Sequence, residues 1–380
     1  MDFFECNRCG KCREFCPTYR LFLNEAFSPR GRAQILLFFE RGKLLESKAL
    51  RDRIFSCLLC GACVSNCPLQ VNVPNLVYEG RQRMTKNLIL LIFKYFPLYP
   101  RLFFLFLKAL NSSGPLKKIL KKQKSISMVF LDKISIFENK LQEKNSLQIF
   151  NKVKPKGRVA LFLGCSTNFL MPSIRDALIK ILLNANLEVI LPRQNCCGAP
   201  LLSAGFKKEG IELARKNVKT YKSFNIDGVV TPCPTCAHFI GTIYKELCGE
   251  VMNVINLVDL ISPLSLSRED DGKKKFFHVS CHSSHYIKDI DKILSILKTA
   301  DDFEKKEGCC GFGGLFSFLF EQSSMDILRK KVLEYEKADM IITSCPNCII
   351  QFKFAMQNKK ILHYAEFINK NLSKGEKNVR

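Results

Sequence analysis

Two runs of four cysteines, within residues 6–17 and 57–68, have identical spacing, Cys-x2-Cys-x2-Cys-x3-Cys-Pro. Three closely spaced thiolates followed by a fourth before proline are typical of proteins with two cubane 4Fe-4S clusters, where the fourth cysteine ligates the other cluster. Paired Cys-x2-Cys motifs also bind zinc, but two zinc sites do not account for this pattern of cysteines. The predicted ligand sets are Cys6, Cys9, Cys12 and Cys67 for one cluster, and Cys57, Cys60, Cys63 and Cys16 for the other.

Ten further cysteines form two sets of five, each with an isolated cysteine, a Cys-Cys-Gly and a Cys-x2-Cys. The sets are Cys165, Cys196, Cys197, Cys233 and Cys236, and Cys281, Cys309, Cys310, Cys345 and Cys348. Gly198 and Gly311 let the backbone approach a bound centre closely. Zinc sites, dithiol redox pairs and inert buried thiols are alternatives, although five thiols exceed the four ligands of tetrahedral zinc. We expect an iron–sulfur centre in at least one set.

The two five-cysteine sets lie in segments that look like copies of each other, residues 157–266 and 267–375. The first repeat has predicted strands at 159–164, 187–191, 227–232 and 252–257. Its predicted helices are at 173–185 and 207–223. The second repeat has predicted helices at 287–298 and 321–337 and a terminal strand at 361–364. Strands that alternate with helices indicate parallel βαβ units.

Sites in such sheets form beyond the carboxyl ends of the strands. Cys165, Cys233, Cys281 and Cys345 all fall at predicted strand ends. The sequence therefore predicts an α/β protein with an α-helical two-cluster domain at the N-terminus, residues 1–83, and duplicated βαβ domains at the C-terminus.

Residues 84–156 contain no cysteine and are predicted to form a helical linker that is first apolar and then basic. The apolar part, 88–107, is interrupted by Lys94, Pro97, Pro100 and Arg101, which argues against a membrane-spanning helix of about 20 apolar residues. A helix pair packed between domains and a patch for a partner or membrane both fit it. The following stretch, 117–156, has eleven lysines and suits a solvated connector beside an anionic surface.

Composition narrows the setting of this 380-residue chain. The first residues show no basic segment or apolar core of a secretion signal, so we expect a cytoplasmic protein, either free or peripheral on the cytoplasmic membrane. Nineteen cysteines in a reducing compartment indicate metal or redox chemistry. The net charge of +24 is scattered and accompanies no nucleic-acid-binding motif, so nucleic acid is not an expected partner.

The sequence lacks the Gly-x-Gly-x-x-Gly fingerprint of dinucleotide sites, as well as a P-loop and a zinc-protease motif. A chain with several one-electron carriers and no hydride cofactor needs a partner that supplies electrons. No catalytic residue is assigned.

Both cysteine runs, both Cys-Cys-Gly sets and Ser28-Pro29-Arg30-Gly31-Arg32 resemble the glycolate oxidase iron–sulfur subunits. The cysteine pattern also resembles the corresponding subunits of anaerobic glycerol-3-phosphate dehydrogenase and of heterodisulfide reductase, and the Ser28–Arg32 motif favours the glycolate oxidase and heterodisulfide reductase branches. His278-x2-Cys281-His282 is similar to the family pattern at the second repeat. The resemblance covers nearly the whole chain and implies a two-cluster ferredoxin domain followed by two cysteine-rich CCG domains.

The resemblance implies the iron–sulfur subunit of an oxidoreductase complex. Electrons from a separate FAD-containing 2-hydroxy-acid oxidase subunit, of the glycolate or lactate class, would pass to a quinone or another carrier. Contact with the membrane or with a membrane subunit is compatible with this role. The heterodisulfide reductase branch implies an alternative, a thiol–disulfide oxidoreductase with clusters at the CCG sites. Both sets here keep all five cysteines, which supports that alternative.

Overall fold

The computed structural model describes residues 6–112, 128–137, 146–261, 266–268 and 271–372. It is a mixed α/β structure in which a helical N-terminal part precedes one mostly parallel and one parallel sheet. Parts of the predicted basic connector, 117–127 and 138–145, and the last residues of the second repeat, 373–375, lie outside the described residues.

The N-terminal domain, residues 6–83 as described, is built from five α-helices and short 3₁₀ turns. The helices α1 to α5 span Pro17–Phe22, Pro29–Glu40, Lys48–Phe55, Ala62–Ser65 and Val73–Arg83. Side chains of Ser28, Ser47 and Asn72 cap α2, α3 and α5 by accepting backbone N–H groups, which satisfies donors that a helix leaves free. Buried Leu36 and Val77 pack these helices together.

Three further helices follow in the predicted linker, α6 Leu88–Leu98, α7 Pro100–Ser112 and α8 Met128–Ser135. Within the described residues no single helix has the length and apolar character to cross a membrane; α6 with Pro100–Phe106 passes that test as a pair bent by 111°. One face of the pair is buried, including Phe93 and Phe104. The other face is exposed. The sequence suggested either a packed helix pair or an apolar surface patch, and the segment has one buried face and one exposed apolar face.

The first sheet has four strands, β1 Gln148–Phe150, β2 Gly157–Leu161, β3 Leu187–Leu191 and β4 Gly228–Val230. Their order is β1-β3-β2-β4. The β1–β3 pair is antiparallel, whereas the β2–β3 and β2–β4 pairs are parallel. The helices are α9 to α15: Gly164–Leu170, Pro172–Asn184, Ala199–Ser203, Lys207–Lys222, Pro234–His238, Tyr244–Cys248 and Leu257–Ile261. A π-helical turn, Phe239–Ile243, joins α13 to α14.

The second sheet has four parallel strands in the order β6-β5-β7-β8. They are β5 Lys275–Val279, β6 Glu304–Glu307, β7 Met340–Thr343 and β8 Lys360–His363. The helices α16 to α20 span Ile290–Ala300, Leu315–Leu319, Glu321–Leu333, Pro346–Ala355 and Tyr364–Asn371. Another π-helical turn, Ser283–Ile287, follows β5. A single buried core joins the two repeats, because α10 of the first packs against α20 of the second.

Two sequence expectations need correction. The strand predicted at 252–257 is reduced to one bridge, Val254 beside Val229. The helix predicted at 287–298 begins later, at Ile290, because Lys288 takes a left-handed conformation (φ 60°) after the π-helical turn. The remaining predicted strands and helices are present with ends shifted by a few residues.

Candidate metal centres

The two N-terminal cysteine runs share one backbone conformation. Residues at equivalent places, Arg8 and Gly10 in the first run and Leu59 and Gly61 in the second, all have positive φ, between 56° and 82°. Left-handed residues on either side of the middle cysteine curl each run into a tight loop. Such a curl is compatible with the convergence of three thiols that the spacing predicts for each run.

The fourth cysteine of the first run lies with the second run. One cavity is lined by Cys16 together with Cys57, Cys60 and Cys63. The open space between its atoms is about 350 Å³. These four cysteines are the members of one predicted ligand set.

The other predicted set is more open. Burial, followed by the neighbouring thiolates of Cys6 and Cys67, raises the pKa of the Cys12 thiol. Cys9 is exposed. Cys16 and Cys67 both lie close enough to Cys12 to influence its thiol, and the predicted set of Cys6, Cys9, Cys12 and Cys67 is nearer the surface than the set around Cys60.

The buried thiols fit a cationic centre. Burial raises the pKa of Cys60 to about 12 and the pKa of Cys63 well above its ordinary value. Such thiols stay protonated at neutral pH unless a metal centre compensates their charge, and metal ligation requires the thiolate. Four convergent cysteines in one cavity thus suit an iron–sulfur cluster.

The motif Ser28-Pro29-Arg30-Gly31-Arg32 supports this set directly. Arg32 is 1% exposed and its Nη1 lies 3.9 Å from Cys16 Sγ. Its remaining donors bind Arg53 O, Thr18 Oγ1 and Ser56 Oγ. Thus the guanidinium is held rigidly beside a predicted ligand.

All five cysteines of the first repeat line one cavity of about 750 Å³. Cys165 follows β2 within α9, Cys233 caps the N-terminus of α13, and Gly164 leaves room for Cys236 Sγ, which would lie 2.8 Å from a Cβ at that position. Four aromatic side chains of α6 and α7 cover the cavity: Phe93, Phe96, Phe103 and Phe104.

All five cysteines of the second repeat line another cavity, also of about 750 Å³. Cys281 follows β5, and Cys345 caps α19 with backbone angles within a few degrees of those of Cys233. Cys60 of the N-terminal domain lies in the same wall. Burial raises the pKa of Cys281 well above its ordinary value, and the thiolate of Cys309 adds to this.

The two Cys-Cys-Gly turns have matching geometry. Gly198 and Gly311 have φ of 89° and 81°. Their amides donate to Cys196 Sγ at 3.5 Å and to Cys309 Sγ at 3.3 Å. At Gly311 a Cβ would lie 2.7 Å from Ser324 O. The two glycines therefore allow a turn in which the backbone hydrogen-bonds to a predicted ligand.

The three histidines near Cys281 have different surroundings. Buried His278 shares a 2.7 Å hydrogen bond between its Nδ1 and Tyr335 Oη, whereas His282 Nδ1 lies 3.5 Å from Cys281 Sγ. Burial lowers the pKa of His278 and of His282 to about 3, and lowers that of His285 as well. All three are neutral near pH 7.

Several residues around the cysteines were not singled out from the sequence. The carbonyl of Cys196 accepts a 2.8 Å hydrogen bond from Asn217 Nδ2, and that of Cys197 accepts one at 2.9 Å from Tyr244 Oη. The Tyr286 ring stacks on His238 at 3.9 Å. No residue of this kind carries a spacing signal, because its role depends on contacts far along the chain.

The remaining cysteine, Cys248, donates to Tyr244 O at 3.3 Å within its own helix. Across the described ranges, no group of three His, Cys, Asp or Glu side chains is arranged to hold a single metal ion. Three of the four predicted ligand sets instead line cavities, and the set of Cys6, Cys9, Cys12 and Cys67 does not line any of these three.

Comparisons with known proteins match the same segments. The model of the 4Fe-4S dicluster domain matches residues 2–71, and the model of the cysteine-rich domain, CCG, matches residues 159–241 and 276–353. The probable glycolate oxidase iron–sulfur subunit of Bacillus subtilis (strain 168) is 25% identical, covering 94% of this chain and 90% of its own. Lactate utilization protein A 2 of Bacillus cereus (strain AH820) is 26% identical over 57% of this chain and all of its own.

Among solved structures, a hypothetical protein from Helicobacter pylori has a TM-score of 0.49 at 11% identity, covering 92% of this chain and 68% of its own. The sequence matches carry the assignment. This protein contains 4Fe-4S clusters, it belongs to the proteins that join a 4Fe-4S dicluster domain to two CCG domains, and it is similar over nearly its whole length to a probable glycolate oxidase iron–sulfur subunit.

Proposed function

We propose that this chain is the electron-transfer subunit of a 2-hydroxy-acid oxidase complex of the glycolate or lactate class. The observation that carries the proposal is that predicted cysteine ligands surround three cavities with shared lining residues. Several one-electron centres side by side serve to conduct electrons. The names of the relatives, a glycolate oxidase subunit and a lactate utilization protein, support this substrate class.

The ligands we propose are the two exchanged sets of the N-terminal domain and the five-cysteine set of each repeat. When bound, 4Fe-4S clusters accept and release single electrons. The protein contributes the ligand geometry, burial and hydrogen bonds that set their potentials. Arg32 beside Cys16 supplies positive charge, and the amides of Gly198 and Gly311 donate to ligand sulfurs.

A separate FAD-containing subunit is the proposed electron donor, because this chain carries no flavin or nicotinamide motif. The proposed acceptor is a quinone or another carrier. Peripheral membrane contact is supported by the exposed face of α6 and α7. Its apolar residues are Leu88, Leu91, Ile92, Tyr95, Tyr99, Leu102, Leu105 and Phe106.

Co-purification under argon, from a host that expresses this chain together with its candidate FAD-containing oxidase subunit, tests the proposal. We expect a flavoprotein to elute with this chain, and its 2-hydroxy-acid substrate to bleach the brown cluster absorption. A flavoprotein variant that cannot bind FAD is the matched control. Failure of any flavoprotein to co-elute, with both proteins expressed, contradicts the proposal.

The second candidate is a thiol–disulfide oxidoreductase, favoured by the complete five-cysteine sets in both repeats. It predicts that the reduced, iron-loaded protein cleaves disulfides and that Cys196→Ser or Cys309→Ser abolishes this. Cys248→Ser is the control, because Cys248 lies outside both cavities. Disulfide cleavage that persists in Cys196→Ser and Cys309→Ser contradicts this candidate.

A further inference from the structure

The N-terminal domain contacts both repeats, but an N-terminal cysteine lines the cavity of the second repeat and not that of the first. Cys60 lines the cavity that also holds Cys16, Cys57 and Cys63, and it lines the cavity of the second repeat. The described lining of the first-repeat cavity contains none of the eight N-terminal cysteines. One thiol therefore stands between the N-terminal domain and the second repeat.

Tyr286 holds the loop that carries Cys60. Gly61 has a φ of 81°, and a Cβ on it would lie only 2.7 Å from Tyr286 Cζ, so the ring packs directly on the glycine backbone. Tyr286 Oη donates to Leu59 O at 3.4 Å. The ring thus contacts the residues on both sides of Cys60.

The same ring also contacts the segments that follow cysteines in the two repeats. It stacks on His238, two residues after Cys236, with centroids 3.9 Å apart and planes at 16°. Its centroid lies 5.1 Å from that of His282, the neighbour of Cys281. Tyr286 stands on the π-helical turn Ser283–Ile287, a local distortion that is frequent at functional sites.

A small apolar contact seals this junction. Leu58 packs with Phe316 and Ile327 of the second repeat in one buried cluster, with Cys60 and Cys309 against it. A Cβ on Gly313 would lie 2.6 Å from Leu58 Cδ2. Leu58 therefore makes a close apolar contact with the second repeat beside the cavity that Cys60 lines.

The two repeat cavities also adjoin each other. Both are lined by the same residues of the two repeats: Ala199, Pro200, Thr235, Phe312, Gly314 and Asn347. The first-repeat cavity is covered on its other side by the aromatic residues of α6 and α7. The second-repeat cavity thus adjoins both the Cys60 loop and the first-repeat cavity.

We infer that the second CCG site exchanges electrons directly with the N-terminal domain across the Cys60 loop, and that Tyr286 is the positioning residue of this contact. The first CCG site then follows the second in the order of electron transfer. The inference rests on the proposed function. Each event moves one electron: the N-terminal cluster is oxidised by one equivalent, the second-repeat centre is reduced by one, and no proton or covalent bond changes.

Selective loss of one repeat centre tests the order. The anaerobic protein receives a pulse of dithionite and is freeze-quenched for EPR, in wild type, Cys196→Ser and Cys309→Ser. In Cys196→Ser we expect the second-repeat centre to be reduced at the wild-type rate. In Cys309→Ser we expect reduction of the first-repeat centre to slow by at least about tenfold, as loss of a positioned intermediate step implies. An unchanged rate in Cys309→Ser overturns the inference.

Variants of Tyr286 test the positioning role without removing a ligand. Tyr286→Ala should weaken the magnetic coupling between the Cys60-bound cluster and the second-repeat centre, at unchanged iron content. Tyr286→Phe keeps the stacked ring and should stay close to wild type. Tyr335→Phe, which removes a buried hydroxyl elsewhere in the same repeat, is the matched control. Unaltered coupling and transfer rate in Tyr286→Ala overturn the positioning role.

Iron analysis separates failure of the inference from failure of the proposed function. About eight irons per chain, unchanged in Cys196→Ser and in Cys309→Ser, would place clusters only in the N-terminal domain. That result overturns the inference, while flavoprotein-dependent reduction of the N-terminal clusters is still measured directly. A fully loaded protein whose first-repeat centre is reduced before the second overturns the inference alone.

Discussion

At the scale of single residues, the charge of Arg32 gives the first prediction. A buried guanidinium beside Cys16 favours the more negative, reduced state of a cluster on that set. Arg32→Gln should therefore lower the midpoint potential of this cluster. The shift should be on the order of 60 mV, the equivalent of about 1.4 kcal/mol for one electron. An EPR-monitored redox titration measures it.

Arg83→Gln is the control for this change, since Arg83 pairs with Glu40 at the surface. Its potential should match that of wild type. Equal potentials in Arg32→Gln and wild type, with full iron content, contradict the electrostatic role of Arg32.

His278 gives a prediction about pH. Burial, followed by the positive charge of Lys331, lowers its pKa to about 3, whereas an unfolded histidine titrates near 6.5. The folded state stays neutral as the pH falls while the unfolded state takes up a proton. The stability that His278 contributes is therefore complete above pH 6.5 and is lost progressively toward pH 3, by up to about 1.4 kcal/mol per pH unit.

Urea unfolding at pH 7 and 5.5 under argon, in wild type and His278→Gln, measures this contribution. The free energy of unfolding should fall by about 1 kcal/mol more in wild type than in the variant over this interval. The other histidines titrate in both proteins and cancel in the difference. Identical losses in the two proteins would show that His278 is not the responsible group.

At the scale of elements, the apolar runs identified the strands β2, β3, β4 and β8, because buried parallel strands are continuously apolar. The helical periodicity identified the four longest helices described in the two repeats, and the shorter helices were not predicted. The strand β6 was missed, since its sequence Glu304–Glu307 is wholly charged and lies at a sheet edge. The edge strand β1 lies before the predicted start of the first repeat and pairs with β3. These two edge strands, unlike the apolar edge strands β4 and β8, were recognised only through their pairing in the sheets.

The bent pair α6 and α7 gives a prediction at this scale. An exposed apolar face on a strongly basic chain suits the surface of an anionic bilayer. The double variant Ile92→Glu with Leu102→Glu should reduce sedimentation with phosphatidylglycerol vesicles by about tenfold or more, since two carboxylates oppose insertion and anionic lipid. Vesicles of phosphatidylcholine alone should bind less in every case.

Leu45→Glu with Leu333→Glu is the matched control, because both leucines are highly exposed away from this helix pair. Its vesicle binding should equal that of wild type within twofold. Equal losses in the two double variants would assign the binding to total charge, and not to the face of α6 and α7.

At the scale of the whole molecule, the sequence predicted which cysteines act together within a run or repeat, since spacing encodes local convergence. It did not predict how the domains meet. The contact of Tyr286 with Leu59 joins residues 227 positions apart, and the aromatic cover of the first-repeat cavity comes from the linker. Such contacts depend on how the folded domains pack against each other, and the periodicity of a single sequence does not predict them.

Arg81 on α5 links the N-terminal domain to the first repeat through hydrogen bonds, and this contact gives the last prediction. It is fully buried and donates to the carbonyls of Ile54, Phe55 and Cys57 in the N-terminal domain, and to Ser203 O of the first repeat at 2.8 Å. Burial lowers its pKa to about 10, so it remains charged at neutral pH. Arg81→Met would leave these buried acceptors without a donor, at roughly 1–3 kcal/mol each.

We expect Arg81→Met to lose at least about 3 kcal/mol of unfolding free energy, and to unfold in two steps. The visible absorption of the N-terminal clusters should disappear at lower urea than the far-ultraviolet dichroism of the repeats. Arg83→Met, on the same helix but at the surface, should cost less than about 1 kcal/mol and keep one transition. If both signals in Arg81→Met vanish together at the wild-type midpoint, the guanidinium does not couple the N-terminal domain to the first repeat.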